Sequence, residues 1–163
     1  MAKVERLMRE AAVDVSVEAP DSADARWCLD QYFRELAQRF DAGFDPAKSN
    51  PARDEEMIPP AGFFVLARLD GRPVGCGVLK RKDRTTAEIK RMWTAPSARG
   101  RGVARSVLQA LEAIARKSGL TTLHLETNRT LKEAQALYRK EGYREVEAFN
   151  AEPYAHHWFE KKL

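Results

Sequence analysis

The 163-residue chain is 44% hydrophobic and 32% charged, with a formal net charge of +4. That length buries a two-layer core in one domain over residues 1–163, and the mild charge suits an anionic small ligand, short of a nucleic-acid binder. No apolar run reaches membrane-span length, Met1–Glu10 is too charged for a signal peptide, and Cys28 and Cys76 lack metal-type spacing, so the expectation is a cytoplasmic protein with reduced thiols and no metal or membrane partner.

Residues 1–12 read as an accessory N-terminal segment, and Val13–Glu18 alternates like a strand. Pro20-Asp21-Ser22 caps a helix to about Phe40, with Trp27, Leu29, Tyr32, Phe33, Leu36 and Phe40 near helical spacing. Asp41–Pro60 is a loop with one helical turn around Arg53–Met57, and a loop this long in a compact domain is often a binding loop. Gly62–Leu69 and Pro73–Arg81 flank the hairpin signal Asp70-Gly71. Thr86–Thr94 is the next strand, stopped by Pro96; alternation puts Glu88, Lys90, Met92 and Thr94 on one face and Ile89, Arg91 and Trp93 on the other. Val103–Lys117 reads as an amphipathic helix, Thr121–Thr127 as a strand and Leu131–Lys140 as a helix. Tyr143–Phe149 and Tyr154–Lys161 complete the series as strands. An antiparallel half followed by β-α-β-α-β-β predicts an α/β (α+β) mixed sheet with helices on both faces.

The loop Arg99-Gly100-Arg101-Gly102-Val103-Ala104 joins strand to helix and carries the functional signal. Its glycines let the backbone pass close to a ligand, and the helix start offers unpaired N–H groups and a positive dipole end, an arrangement suited to pyrophosphate. A Walker A loop fails for want of Gly-Lys-Ser/Thr. A dinucleotide fingerprint would use Gly100-x-Gly102 with Glu126 on the ribose, yet Arg105 occupies the third glycine position and Glu88, Lys90 and Arg91 interrupt the preceding strand. Arg99-x-x-Gly102-x-Ala104, the preceding Met92-Trp93-Thr94-Ala95-Pro96 and the following Ala134-x-x-Leu137-Tyr138-x-x-x-Gly142-Tyr143 closely resemble the GNAT superfamily of N-acetyltransferases over about residues 62–163.

The resemblance implies a mostly antiparallel sheet whose central strands splay at the CoA site. It implies acetyl-CoA as co-substrate, with Arg99, Gly100, Arg101, Gly102, Val103 and Ala104 around the pyrophosphate and the main chain of Met92, Trp93 and Thr94 on the pantetheine arm. Many relatives place Asn or Gln near position 131; this chain has Leu131, and Asn128 is the substitute. Glu88 is the general-base candidate by similarity to the histone-acetyltransferase branch, against the alternative of a sheet-face ion pair. Tyr138 is the general-acid candidate, its hydroxyl directed at the CoA sulfur, against the alternative of a core aromatic.

Other residues invite weaker readings. The rings of His156 and His157 face opposite ways on a strand, which suits a structural or substrate-wall role. Asp45, Glu55 or Glu56 would attract a cationic amine, while Asp54-Glu55-Glu56 reads equally as a solvated face. The expected activity is transfer of an acetyl group from acetyl-CoA to a primary amine, small rather than a protein lysine, by direct attack in a ternary complex. Another acyl-CoA, or a non-catalytic domain for acyl-CoA sensing or protein interaction, is the alternative. Homodimers are common among relatives, and no stretch here identifies an interface.

Overall fold

The computed structural model describes residues 12–49 and 52–163; the expected N-terminal segment lies, apart from Ala12, outside them. Strand β1 (Asp14–Val17) leads into helix α1 (Ala23–Arg39), whose first turn is capped by the Ser22 hydroxyl accepting from the Ala25 amide at 3.1 Å. Two 3-10 turns, Pro46–Lys48 and Asp54–Met57, sit within the following loop. Strands β2 (Gly62–Leu69), β3 (Arg72–Arg81) and β4 (Thr86–Thr94) form the meander. Helix α2 (Val103–Lys117), strand β5 (Thr122–Thr127), helix α3 (Lys132–Lys140) and strands β6 (Arg144–Val146) and β7 (His157–Lys162) follow.

The seven strands form one sheet in the order β1-β2-β3-β4-β5-β7-β6, antiparallel except for β4 beside β5. The two large helices cover opposite faces, and β3 shows why. A Cβ on Gly77 would meet Val107 Cγ1 at 2.7 Å and Leu111 Cδ1 at 3.0 Å, so α2 seats directly on the bare backbone. Cys76, one residue earlier, points to the other face, where Cys28 of α1 lies buried with its thiol 3.9 Å from the Gly75 carbonyl. α2 buries Val103, Val107, Leu108, Leu111 and Ala115 against the sheet, the apolar stripe that its sequence period requires.

Two features of the sheet shape what lies between the layers. Parallel pairing of β4 with β5 covers only Thr86↔Thr122, Ala87↔Leu123 and Glu88↔His124; beyond Glu88 the strands diverge. On the other side of β4, the register passes from Val78↔Lys90 to Cys76↔Trp93, so Arg91 and Met92 together oppose Gly77 in a bulge, with Arg91 at φ +55°. The bulge corrects the expected alternation. Met92, whose sulfur would lie 2.9 Å from a Cβ on Gly77, falls on the α2 side, and Trp93 falls with Glu88 and Lys90 on the α1 side.

The last two strands are shorter than the sequence pattern implied. Phe149 leaves the sheet to stack on His124, with ring centroids 4.2 Å apart, and Asn150 accepts a hydrogen bond from Trp158 Nε1 at 2.9 Å. Residues 147–156 are therefore a folded-back loop over the α1 side of the sheet.

Candidate active site

Gly102 is the N-cap of α2 at φ +77° and supplies no side-chain acceptor, so the first N–H groups of the helix remain open. Gly100 is also left-handed at φ +80°, and a Cβ at either position would meet nothing within 4 Å. Backbone conformation, not crowding within the protein, makes these glycines necessary. The three arginines of the loop are not equivalent. Arg99 is bonded to Glu35 of α1, Arg105 lies 2.7 Å from Glu141, and Arg101 is exposed, with no ion pair among the described residues. With two guanidiniums already paired to carboxylates, the amides and dipole of α2, together with the exposed charge of Arg101, are the unopposed attraction for an anion here.

This helix end opens onto a cavity of about 880 Å³ between α1, α2, α3 and the gap where β4 and β5 part. Met92, Trp93, Thr94, Arg99, Gly100, Gly102, Val103, Ala104, Asn128 and Tyr138 line it, so the structure brings together nearly all the residues singled out from sequence. Arg101 and Glu88 do not line it.

Glu88 stands on the wall of a smaller neighbouring cavity with Lys80, Lys82 and Phe149. Its carboxylate is 3.6 Å from Lys82 and 3.3 Å from Lys90. Glu126, at the end of β5, faces the large cavity and is 3.6 Å from the same Lys90; its other oxygen is buried, and the Asn150 side chain is a polar neighbour that favours the charged form. Burial raises the Glu126 pKa above the ordinary carboxylate range, Lys90 opposes that shift, and the charges of Glu88 and Glu152 reinforce it.

Tyr138 is 5% exposed, its ring packed between Tyr143 and Phe159 at centroid distances of 5.9 Å. Burial pushes its phenol well above the usual range, so the hydroxyl stays protonated. Tyr32 of α1 lines the same cavity and is raised for the same reason. Arg91 reaches it from the bulge, its guanidinium over the Phe33 ring at 5.2 Å.

Asn128 is committed to the chain itself. Its amide donates to the Tyr154 carbonyl at 2.8 Å, and its side-chain oxygen accepts from the Thr130 amide and hydroxyl at 3.0 and 2.9 Å. What it sets is the loop that starts α3. The histidines are likewise engaged away from the cavity: His156 Nδ1 accepts from the Arg129 amide at 3.1 Å, and His157 Nδ1 is 2.8 Å from Glu145.

The loop after α1 roofs the cavity. Phe44 packs on Tyr154 at 4.7 Å, the Asp45 amide donates to the Tyr154 hydroxyl at 2.9 Å, and Ser49 donates to Glu152 at 2.9 Å. Asp45 also caps the turn that follows it, while Asp54 pairs with Arg26 and Glu56 with Lys80. Those carboxylates hold the loop together. Among the nearby aromatic side chains, Phe44, Trp93 and Tyr154 line the cavity; His157, given a substrate-wall role from sequence, and Trp158 do not.

Sequence reasoning passed over Tyr32 and Arg91 and weighed Glu126 only as a ribose ligand. A signal existed for Arg91: strict alternation set it between Ile89 and Trp93, on an otherwise apolar strand face. A charge in such company needs a reason.

The model of the acetyltransferase (GNAT) family matches residues 29–143. An IAA acetyltransferase of Azospirillum brasilense is 37% identical over 117 residues, 71% of each chain. An uncharacterized N-acetyltransferase of Bacillus subtilis is 40% identical over 97 residues, 58% of this chain and 64% of that one. Among solved structures, a Klebsiella pneumoniae protein named as an acyl-CoA N-acyltransferase superposes with a TM-score of 0.76 at 27% identity, covering 94% of this chain and 99% of that one. A GNAT family acetyltransferase of Elizabethkingia anophelis with acetyl-CoA bound shares the fold, at a TM-score of 0.63 and 16% identity, covering 93% and 98%.

Proposed function

The chain belongs to the acetyltransferase (GNAT) family, and from that premise we propose that it transfers the acetyl group of acetyl-CoA to a small primary amine by direct attack in a ternary complex. One observation carries the reading. The open amide end of α2 and the gap between β4 and β5 face one cavity, which also holds Glu126 and Tyr138.

In this proposal the amides of residues 99–104 hold the pyrophosphate. The main chain of Met92, Trp93 and Thr94, beyond the end of β4–β5 pairing, holds the pantetheine arm and polarises the thioester oxygen. Acetyl-CoA supplies the activated acyl group: the amine nitrogen bonds to the thioester carbon, the C–S bond breaks, and CoA leaves as thiolate. Glu126 takes one proton from the bound ammonium, which frees the amine lone pair for attack, and the second N–H proton shed as the amide forms restores the one that Tyr138 gives to the sulfur. The raised pKa of Glu126 makes it a stronger base than an exposed carboxylate. Tyr138, kept protonated by burial, returns a proton to the sulfur. Glu88, the base expected from sequence, acts here through the shared Lys90 as a positioning residue.

Direct attack is supported by the cysteines. Neither lines the cavity, and Cys76 has its thiol pushed upward by its neighbour Cys28 and by burial, which leaves a poor nucleophile. A small acceptor is supported by the roof: Phe44 pinned to Tyr154 narrows the approach that an extended peptide would need. Free-thiol release from acetyl-CoA, followed across a library of small amines and a protein extract, tests both claims. Release driven by small amines is expected; acetyl groups appearing only on proteins would overturn the small-acceptor reading.

A further inference from the structure

Arg91 is a cation in the wrong company unless a ligand completes it. It lines the large cavity from the bulge of β4, yet no carboxylate of the described residues lies within ion-pair distance of its guanidinium. Among the described residues its side-chain acceptor is the Met57 sulfur at 3.9 Å, and its guanidinium carbon lies 5.2 Å from the centre of the Phe33 ring. Lys90 on the same cavity wall is shared by two carboxylates, Arg39 is paired with Glu35 and Glu133, and Arg99 with Glu35. A partly buried guanidinium on which the Asp54 and Glu56 carboxylates act only at a distance is costly, and the backbone adds to the cost, since Arg91 is a non-glycine residue at φ +55°. The fold tolerates both and directs the side chain toward α1, where Tyr32 offers a protonated hydroxyl to the same cavity.

We infer that the acceptor amine also carries a carboxylate, and that this carboxylate docks on the Arg91 guanidinium with the Tyr32 hydroxyl as a second donor. The planar fork of guanidinium N–H groups matches a carboxylate in two parallel hydrogen bonds, which fixes the orientation of the ligand as well as its position. Its amine then faces the part of the cavity that holds Glu126 and Tyr138. The substrate class is an amino acid or a similar zwitterion, in place of a simple alkylamine. Arg91 and the pyrophosphate loop line one cavity from different elements: the Arg91 side chain lies by Phe33 of α1, whereas the loop caps the start of α2. The inference rests on the transfer reading, because only a transferase needs to orient an amine here.

The test presents each amino acid beside its carboxamide, with acetyl-CoA, to the full chain and to Arg91→Gln. The expected result is that the unaltered protein favours the acid over its amide by about 10- to 100-fold in kcat/KM, the scale of a charge-assisted hydrogen-bonded pair. Arg91→Gln should erase that ratio mainly through KM while acetyl-CoA raises the melting temperature of both proteins equally. Equal use of acid and amide by the unaltered protein, or a preference that survives in Arg91→Gln, overturns the inference. Should Arg91→Gln not fold, Arg91→Lys and Tyr32→Phe make the same comparison, and a ratio undiminished in both overturns it. If no amine releases thiol and acetyl-CoA gives no thermal shift, the transfer reading itself fails. Thermal shifts by N-acetyl amino acids against their amides then still decide the role of Arg91: a carboxylate-dependent shift lost in Arg91→Gln supports it, and no difference overturns it.

Discussion

Lys90 and Glu126 lie 3.6 Å apart, both about a tenth exposed, on the wall between the two cavities. Because the same ammonium is 3.3 Å from Glu88, one cation serves two carboxylates and fully neutralises neither. Burial and the charge of Glu88 together hold Glu126 above its ordinary pKa, as a base needs.

Glu126→Gln should lower kcat by about 10²- to 10⁴-fold, the usual loss for a general base, without weakening the thermal shift given by acetyl-CoA. The pH profile separates Glu126 from Glu88. With Glu126 as base, kcat/KM rises with pH along a limb set by its raised pKa. In Glu88→Gln a repulsive charge disappears and Lys90 pairs with Glu126 alone, so that limb should move to lower pH with turnover retained. A Glu88→Gln enzyme as inactive as Glu126→Gln would return the base to Glu88.

Tyr138→Phe should bind acetyl-CoA normally by calorimetry and turn over roughly 10²-fold more slowly, the lower end for loss of a general acid, since a thiolate is a tolerable leaving group. Full activity would leave Tyr138 as one ring of the core with Tyr143 and Phe159.

Much of this fold is legible in the sequence, and the reasons are local. β4 keeps the boundaries Thr86–Thr94 because Pro96 stops it, and α2 keeps Val103–Lys117 because its apolar residues recur at helical spacing up to Gly119. The phosphate-type loop is legible for the same reason: its glycines have to be glycines. The bulge is not, since Lys90-Arg91-Met92 contains no glycine or proline to mark it, and missing it assigns Arg91, Met92, Trp93 and Thr94 to the wrong faces. The Tyr143–Phe149 run alternates well beyond Val146, and only the stacking of Phe149 on His124 takes it out of the sheet. Glu126, Tyr32 and Arg91 come from three elements, so their meeting belongs to tertiary structure alone.

Glu56 predicts a feature of acid stability. The Arg53 amide donates to its carboxylate at 3.0 Å and Lys80 is 3.0 Å away, which holds its pKa down at about 2. A carboxylate depressed in the folded state contributes stability above its unfolded pKa, near 4.5, and loses it as pH falls toward 2. Urea unfolding of Glu56→Gln should therefore show lower stability at neutral pH and a flatter decline across that acid window. An unchanged decline would mean that the turn at Asp54–Met57 does not depend on this carboxylate.

Gly102→Val places a β-branched residue at φ +77°, which disturbs the first turn of α2 where anion-binding amides are needed. The protein should still unfold cooperatively, and its melting temperature should no longer respond to acetyl-CoA. A full response would place the pyrophosphate elsewhere.

The most direct measurement follows the acetyl group itself. The protein is incubated with acetyl-CoA labelled in the acetyl carbon, first alone and then with a pool of low-mass amines. Direct transfer in this cavity requires no label on the protein in the first step, label on N-acetylated small amines in the second, and loss of that transfer in Glu126→Gln. Label retained on Cys28 or Cys76, or transfer unaffected by Glu126→Gln, would contradict it.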